Sequence, residues 1–303
     1  VDAPELICHA AKLNSSSSQH TESISASVSA AGTIQSVGAS ASKSSSSSTH
    51  YKNAGISAEE NVKLSNKGEA MDMVDLDGAT ITADTLDMKT KKLRIIDKQD
   101  VSHNKTESGS LSSTGQFSAY KGEGHSKLVN EHSGFAIKQG INTDGHSVEV
   151  NETYMEGGKI VSDGINNFKT DKLETVTLVF EDKYSGIGIS GNVHDFDRLT
   201  GDKPQNTAGE NAIATVSFSA DKVDYKAQEQ ATIHGAKGTT FEAKEIVGTV
   251  NVASSDGRVV ERDINQSLNI DVPITNRDYF SQGLDNLKAG VAKLQDMFSP
   301  QEP

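Results

Sequence analysis

Two groups of acidic residues are the side chains of this 303-residue chain best placed to do chemistry: Asp72, Asp75 and Asp77, and then Asp195 and Asp197 with Arg198. Paired carboxylates beside a cation can serve as general acid and base, as on an acidic polysaccharide. In a strand Asp75 and Asp77 point to the same side and Asp72 to the other. Val74 and Leu76 stand between them, and a half-buried strand needs such an alternation simply to wet its outer face. The plainer reading is preferred, and no catalytic residue is expected. Four histidines (His103, His125, His132, His146) follow one another at spacings of 22, 7 and 14, which match no metal-ligand pattern. Cys8 is the single cysteine, so no internal disulfide can form, and no electropositive neighbourhood activates its thiol. The HExxH, GxxxxGK[ST], GxSxG and helix-opening GxGxxG patterns are absent. The run Ser185–Gly191 (SGIGISG) reads as turns. No metal, cofactor or cofactor-binding residue is expected.

With so little chemistry to position, the elements themselves carry the information. Hydrophobic residues make up 34%, aromatics 5%, and there is no Trp, so a thin core spread along an axis fits better than a compact globule. The net charge of −13 argues against nucleic acid and anionic membrane surfaces, which demand a basic face. Residues 1–56 balance Lys12, Lys43 and Lys52 against Asp2, Glu5 and Glu22, so the acidic excess lies beyond them. No apolar run approaches the ~18 residues that span a membrane. Val1 in place of Met fits a piece of a longer chain.

A weak block recurs three times, at Val74–Asp97, Val148–Asp182 and Val223–Asp256. Each crosses a glycine (Gly78, Gly158, Gly235), and these glycines are 80 and 77 positions apart. A recurrence of this kind signals stacked units that bury an apolar face only against their neighbours. From Asn14 to Ser48 serine dominates, yet Ile24, Ala26 and Val28 alternate with it, which predicts two Ser-rich strands forming a long hairpin around Ala30-Ala31-Gly32. From Ile56 onward, short runs of Ile, Val, Ala and Thr separated by Gly, Asn and Asp predict many short strands with no helix between them. The expected fold is all-β: a parallel β-helix carrying a Ser-rich hairpin arm. The expected segments are an arm over 1–55 and β-helix repeats over 56–274. Within the repeats, 194–213 is a possible loop insertion. Residues 275–303 complete the chain as a helix and tail. There Phe280, Leu284, Leu287, Val291, Leu294 and Phe298 fall at spacings 4, 3, 4, 3 and 4, a helical stripe suited to covering an open end of the stack or to self-association.

The stretch SVGASASKSSSSSTHYKNAGISAEENVKLSNKG and the units ending LDGATITADTLDMKTKKLRIIDKQD and TDKLETVTLVFED resemble the haemagglutinin-repeat region of filamentous-haemagglutinin-like exoproteins, over roughly residues 14–190. These include two-partner-secreted adhesins and contact-dependent growth-inhibition effectors. The resemblance implies a right-handed winding of the β-helix and a secreted or bacterial cell-surface location. It also implies two partners, an outer-membrane two-partner secretion transporter and a target-cell receptor or glycan. The expected function is a structural and binding repeat segment acting in adhesion or contact-dependent toxin delivery, with no enzyme activity. Contacts are expected from loops near residues 100–135 and 194–213. Two alternatives stay open: a β-helical polysaccharide-degrading enzyme built on the aspartates above, and an oligomerising module using the C-terminal helix.

Overall fold

The computed structural model describes residues 1–29, 34–141, 148–195 and 212–275. Among these, every regular element is a strand. In chain order they are β1 (Glu5–His9), β2 (Ala11–Val28), β3 (Ile34–Lys52), β4 (Ala54–Ser57), β5 (Asn61–Leu64), β6 (Met71–Asp77), β7 (Ala79–Met88), β8 (Thr90–Ile96), β9 (Asp100–Ser112) and β10 (Gln116–Leu128). The second half holds β11 (Gly134–Ile141), β12 (Val148–Glu156), β13 (Lys159–Ser162), β14 (Ile165–Val176), β15 (Leu178–Val193), β16 (Ala214–Glu229), β17 (Ala231–Gly235), β18 (Thr239–Val247), β19 (Val250–Asn251) and β20 (Arg258–Ile274). The expected helix over 275–303, and with it the Phe280–Phe298 stripe, lies outside the described residues except for Thr275.

Thirteen of these strands form one parallel sheet that winds upon itself in coils. One face stacks β1, β6, β8, β12, β14 and β18; a second stacks β4, β7, β11, β13, β17 and β19. Inward side chains repeat from coil to coil. Ile56, Ile81, Phe135, Ile160 and Ile233 occupy one column, and Leu6, Val74, Leu93, Thr153, Leu173 and Ile246 another. Most of these side chains are fully buried, and Phe168 stacks on Phe241 with ring centroids 6.4 Å apart. β-Branched and aromatic residues tile such a column because each rung presents the same pleat to the next. Thr153 is the polar exception, and its hydroxyl is satisfied within the core by Thr170 Oγ1 at 2.9 Å. This is the β-helix-like arrangement that the stacked pattern predicts.

The seven remaining strands form a single antiparallel sheet in the order β2, β3, β9, β10, β15, β16, β20. Their origin explains it. His9, Asp77, Ile96, Glu156 and Val176 occupy the same position on five successive coils. After His9, Ile96 and Val176 the chain leaves as a long hairpin; after Asp77 and Glu156 it turns straight into the next face. Gly78 (φ 71°) and Gly157–Gly158 (φ 59° and 72°) make those direct corners in a left-handed conformation that residues with a Cβ resist. At Gly78 a side chain would also collide with Ala10 and Lys98, where the neighbouring coils send out their hairpins. Hairpins therefore leave every second coil and lie side by side. The Ser-rich arm expected over 1–55 is the first of them, with Ser15 opposite Ser48 and Ser23 opposite Ser40. The two sheets draw on the chain in alternation, so neither coincides with one contiguous segment.

Three expectations need correction. Gly235 does not share the corner of Gly78 and Gly158. It ends β17, whereas Gly248 (φ 101°), after β18, turns the chain at that corner, and Val223–Tyr225 lies in the antiparallel sheet. The segment 100–135 is no loop, because β9 and β10 fill most of it. Ser185–Gly191 is not a set of turns but the middle of β15. Its glycines leave room for aromatic rings from β10: a side chain on Gly186 would strike Tyr120, and one on Gly191 would strike Phe117. Across that glycine floor the hydroxyls of Tyr120 and Tyr184 meet.

Candidate binding groove

The aspartates singled out first are not assembled into a catalytic group. Asp75 is buried on β6, and Arg94 Nη1, directly across on β8, donates to both its oxygens at 3.0 Å. Asp77 contacts Lys98 and His9 instead, the latter at 3.2 Å. Asp72, on the opposite side, pairs with Lys91 at 2.6 Å. Same-side geometry holds for Asp75 and Asp77, but each carboxylate is consumed by its own cation. Asp195 belongs to the described residues; Asp197 and Arg198 lie outside them, so that set and the 194–213 insertion are described only at their ends. Those ends are short, since the amides of His194 and Asp195 both donate to Ile213 O. Cys8 packs beside the core, and burial, with Asp75 as the smaller cause, pushes its thiol above the ordinary range. That is the reverse of what a nucleophile needs.

The histidines separate into distinct settings, and His146 lies outside the described residues. His132 sits where the second hairpin rejoins the coils. Its Nδ1 is 2.9 Å from Asp97 Oδ2, and its Nε2 is 3.3 Å from Glu229 Oε1. Asp97 is fully buried and also accepts the amides of Ser133 (2.5 Å) and Gly158 (2.9 Å). Glu229, equally buried, lies near Lys159 (3.4 Å) and Arg258 (3.5 Å), and Arg258 stacks over Phe180 at 4.6 Å. Ser133 Oγ donates to Ile96 O rather than to His132, so no nucleophile–base pair exists here. The network clamps hairpin bases to coil corners.

His103 and His125 face each other across β9 and β10, rings stacked at 4.4 Å with Nδ1 atoms 3.2 Å apart. They lie in the middle of a groove of ≈ 580 Å³ that crosses six strands of the antiparallel sheet. Its floor is one cross-strand row: Ser47, His103, His125, Lys183 and Asp224. Strands lie ~4.8 Å apart, so this row is about 19 Å long. The adjoining row on the same face adds Lys105, Glu123 and Lys222, and Arg262 closes one end. Four Lys/Arg and two histidines line this groove beside Glu123 and Asp224, and Lys105 and Lys183 also lie 3.4 Å and 3.3 Å from Glu107 and Glu181 at its rim. Arg262 donates to Asp224 Oδ2 at 2.7 Å, while the buried Oδ1 accepts no hydrogen bond among the described residues.

Part of the groove falls within residues 100–135, where contacts were expected, but the row itself was not legible, because it joins residues 22–58 positions apart through pairings that leave no local trace. No helix among the described residues is long and apolar enough to cross a membrane. Residues 2–115, from before β1 to just past the end of β9, match the family model of the hemagglutinin repeat. That stretch is similar to a filamentous-haemagglutinin repeat region, as the Ser-rich arm and the unit ending at Asp100 suggested; the unit ending at Asp182 lies beyond the match. No curated protein and no solved structure matches the chain.

Proposed function

We propose that this chain is a repeat segment of a secreted surface exoprotein whose coils form a scaffold and whose antiparallel sheet presents an adhesive groove for acidic glycans. The hemagglutinin repeat over residues 2–115 supports an adhesin-like, secreted setting. In that setting export would use an outer-membrane two-partner transporter, and the coils would wind right-handed, the usual hand for parallel crossovers. Delivery of a toxin to a contacted cell is the finer form of the same role. The observation that carries the reading is the groove itself, with its row of Ser47, His103, His125 and Lys183 and the flanking Lys105 and Lys222. Carboxylate or sulfate groups would meet Lys105, Lys183 and Lys222, and sugar hydroxyls would meet Ser47 and Glu123. Enzymatic cleavage has no support from Asp75 and Asp77, each of which is held by a cation.

The test is binding of the purified chain to arrays of acidic and neutral glycans at low salt, where exposed charges act at full strength. Replacing Lys105 and Lys183 together by Glu is expected to weaken binding of acidic glycans at least about 30-fold. Equal binding of neutral glycans, or binding that survives the double replacement, would overturn the assignment.

A further inference from the structure

We propose that His103 and His125 form a two-histidine site for a transition-metal ion, zinc(II) above all, in the middle of the groove floor. The sequence hides the pair, because its spacing of 22 fits no ligand motif. The antiparallel register of β9 and β10 makes the two residues direct cross-strand neighbours. Opposed residues hold their Cβ atoms about 4.5–5.5 Å apart, close enough for two imidazoles to share one ion. The Nδ1 atoms are 3.2 Å apart and the ring centroids 4.4 Å, so the rings close on each other at the nitrogen edge. The two nitrogens are also aimed at one another, since an Nδ1–H on either ring donates to the Nδ1 of the other.

That separation suits one metal geometry. A zinc–imidazole bond is about 2.0–2.1 Å long, so nitrogens 3.2 Å apart subtend about 100° at a shared ion. The tetrahedral angle that zinc prefers is close to this, whereas a square-planar ion would need the nitrogens about 2.9 Å apart. Binding needs both rings neutral, each with its proton on Nε2. The described residues assemble no group of three or more His, Cys, Asp or Glu side chains for a metal, so the remaining positions fall to water or to an oxygen of a molecule in the groove. The surrounding charge tolerates a cation. Lys183, directly opposite His125, and Lys105, in the adjoining row, are engaged by Glu181 and Glu107, and Glu123 lies two residues from His125 on the same face. Among the described residues neither Nε2 makes a hydrogen bond, and histidine ligands without such support bind roughly 10- to 100-fold more weakly. Micromolar affinity is therefore expected.

Calorimetric titration of zinc sulfate into the whole chain, carrying no histidine tag, tests this. His103→Ala and His125→Ala should each weaken the micromolar site at least about 10-fold, because each removes one of two protein ligands. His20→Ala, on the exposed arm, should leave it unchanged. His103 and His125 belong to none of the hydrophobic clusters, so both variants keep the fold, which circular dichroism checks. Cobalt(II) in place of zinc should give the strong visible absorption of a four-coordinate ion, and either replacement should abolish it. The metal alone is the probe, so the result is separate from whether the groove takes a glycan. Absence of saturable zinc binding, binding that survives both replacements, or the weak absorption of six-coordinate cobalt overturns the proposal.

Discussion

Replacing Asp97 with alanine should loosen the point at which hairpins are anchored to coils. The carboxylate is fully buried, and three donors converge on it: the amides of Ser133 and Gly158, and His132 Nδ1. Truncation leaves both amides buried without an acceptor, at about 1–3 kcal/mol each. It also leaves the buried Glu229 beside a histidine that has lost its second carboxylate, so a total of about 3–5 kcal/mol is expected, as for a broken buried charge network. Asp97→Asn should cost less, since one oxygen still accepts from Ser133 while the amide nitrogen opposes Gly158 N–H. Stacked repeats need not unfold in one step. Urea denaturation followed by circular dichroism should therefore be read together with hydrogen exchange at the Ser133 and Gly158 amides. Exchange at these two sites should accelerate ahead of exchange at core residues such as Ile81. A loss below about 1 kcal/mol with unchanged exchange would refute the claim that this network anchors the hairpins.

Tyr120 is held at about 12, first by burial and then by its hydrogen bond with Tyr184. Its folded value exceeds the unfolded one, so its contribution to stability is complete below pH 10 and is lost as pH rises from 10 to 12. Ultraviolet titration of tyrosinate should show a late component that Tyr120→Phe removes. Cys8, raised by burial and by Asp75, should react with an aromatic disulfide reagent more slowly than a free thiol does; Asp75→Asn should quicken it, and an unchanged rate would exclude Asp75 as a cause. Ile160→Ala opens a gap between Phe135 and Ile233 in the inward column and should cost about 2–5 kcal/mol by denaturation, whereas Ile24→Ala on the exposed arm should cost less than about 0.5.

Much of the solenoid was legible because its signal is local. Val74 and Leu76 alternate with acids, and those two do face the core. The Ser-rich arm pairs as a hairpin, as expected, but the alternation of Ile24 and Ala26 with serine marks no buried face, since Ile24 is exposed. The pairing of coils was not legible, since β6 meets β8 at 19 positions while β8 meets β12 at 60. A parallel ladder of that span imposes no local pattern. The Gly-rich run in β15 misled for a related reason: its glycines answer to Tyr120 and Phe117, which lie more than 60 residues earlier. Asp75 and Asp77 were read with the right parity, but Arg94 and Lys98, which neutralise them, lie on the next coil or just beyond it.

The departure of hairpins on alternate coils has a metric consequence. Each coil advances the stack by one strand spacing, about 4.8 Å, whereas a hairpin is two strands wide and needs about 9.6 Å. A hairpin on every coil would crowd the outer sheet; one on every third would tear gaps in it. Two coils per hairpin is the ratio at which both sheets keep the same pitch, so the heritable module is a pair of coils. Excising one coil, such as residues 71–89, should throw the outer sheet out of step, while excising a whole pair with its hairpin should leave both sheets in phase.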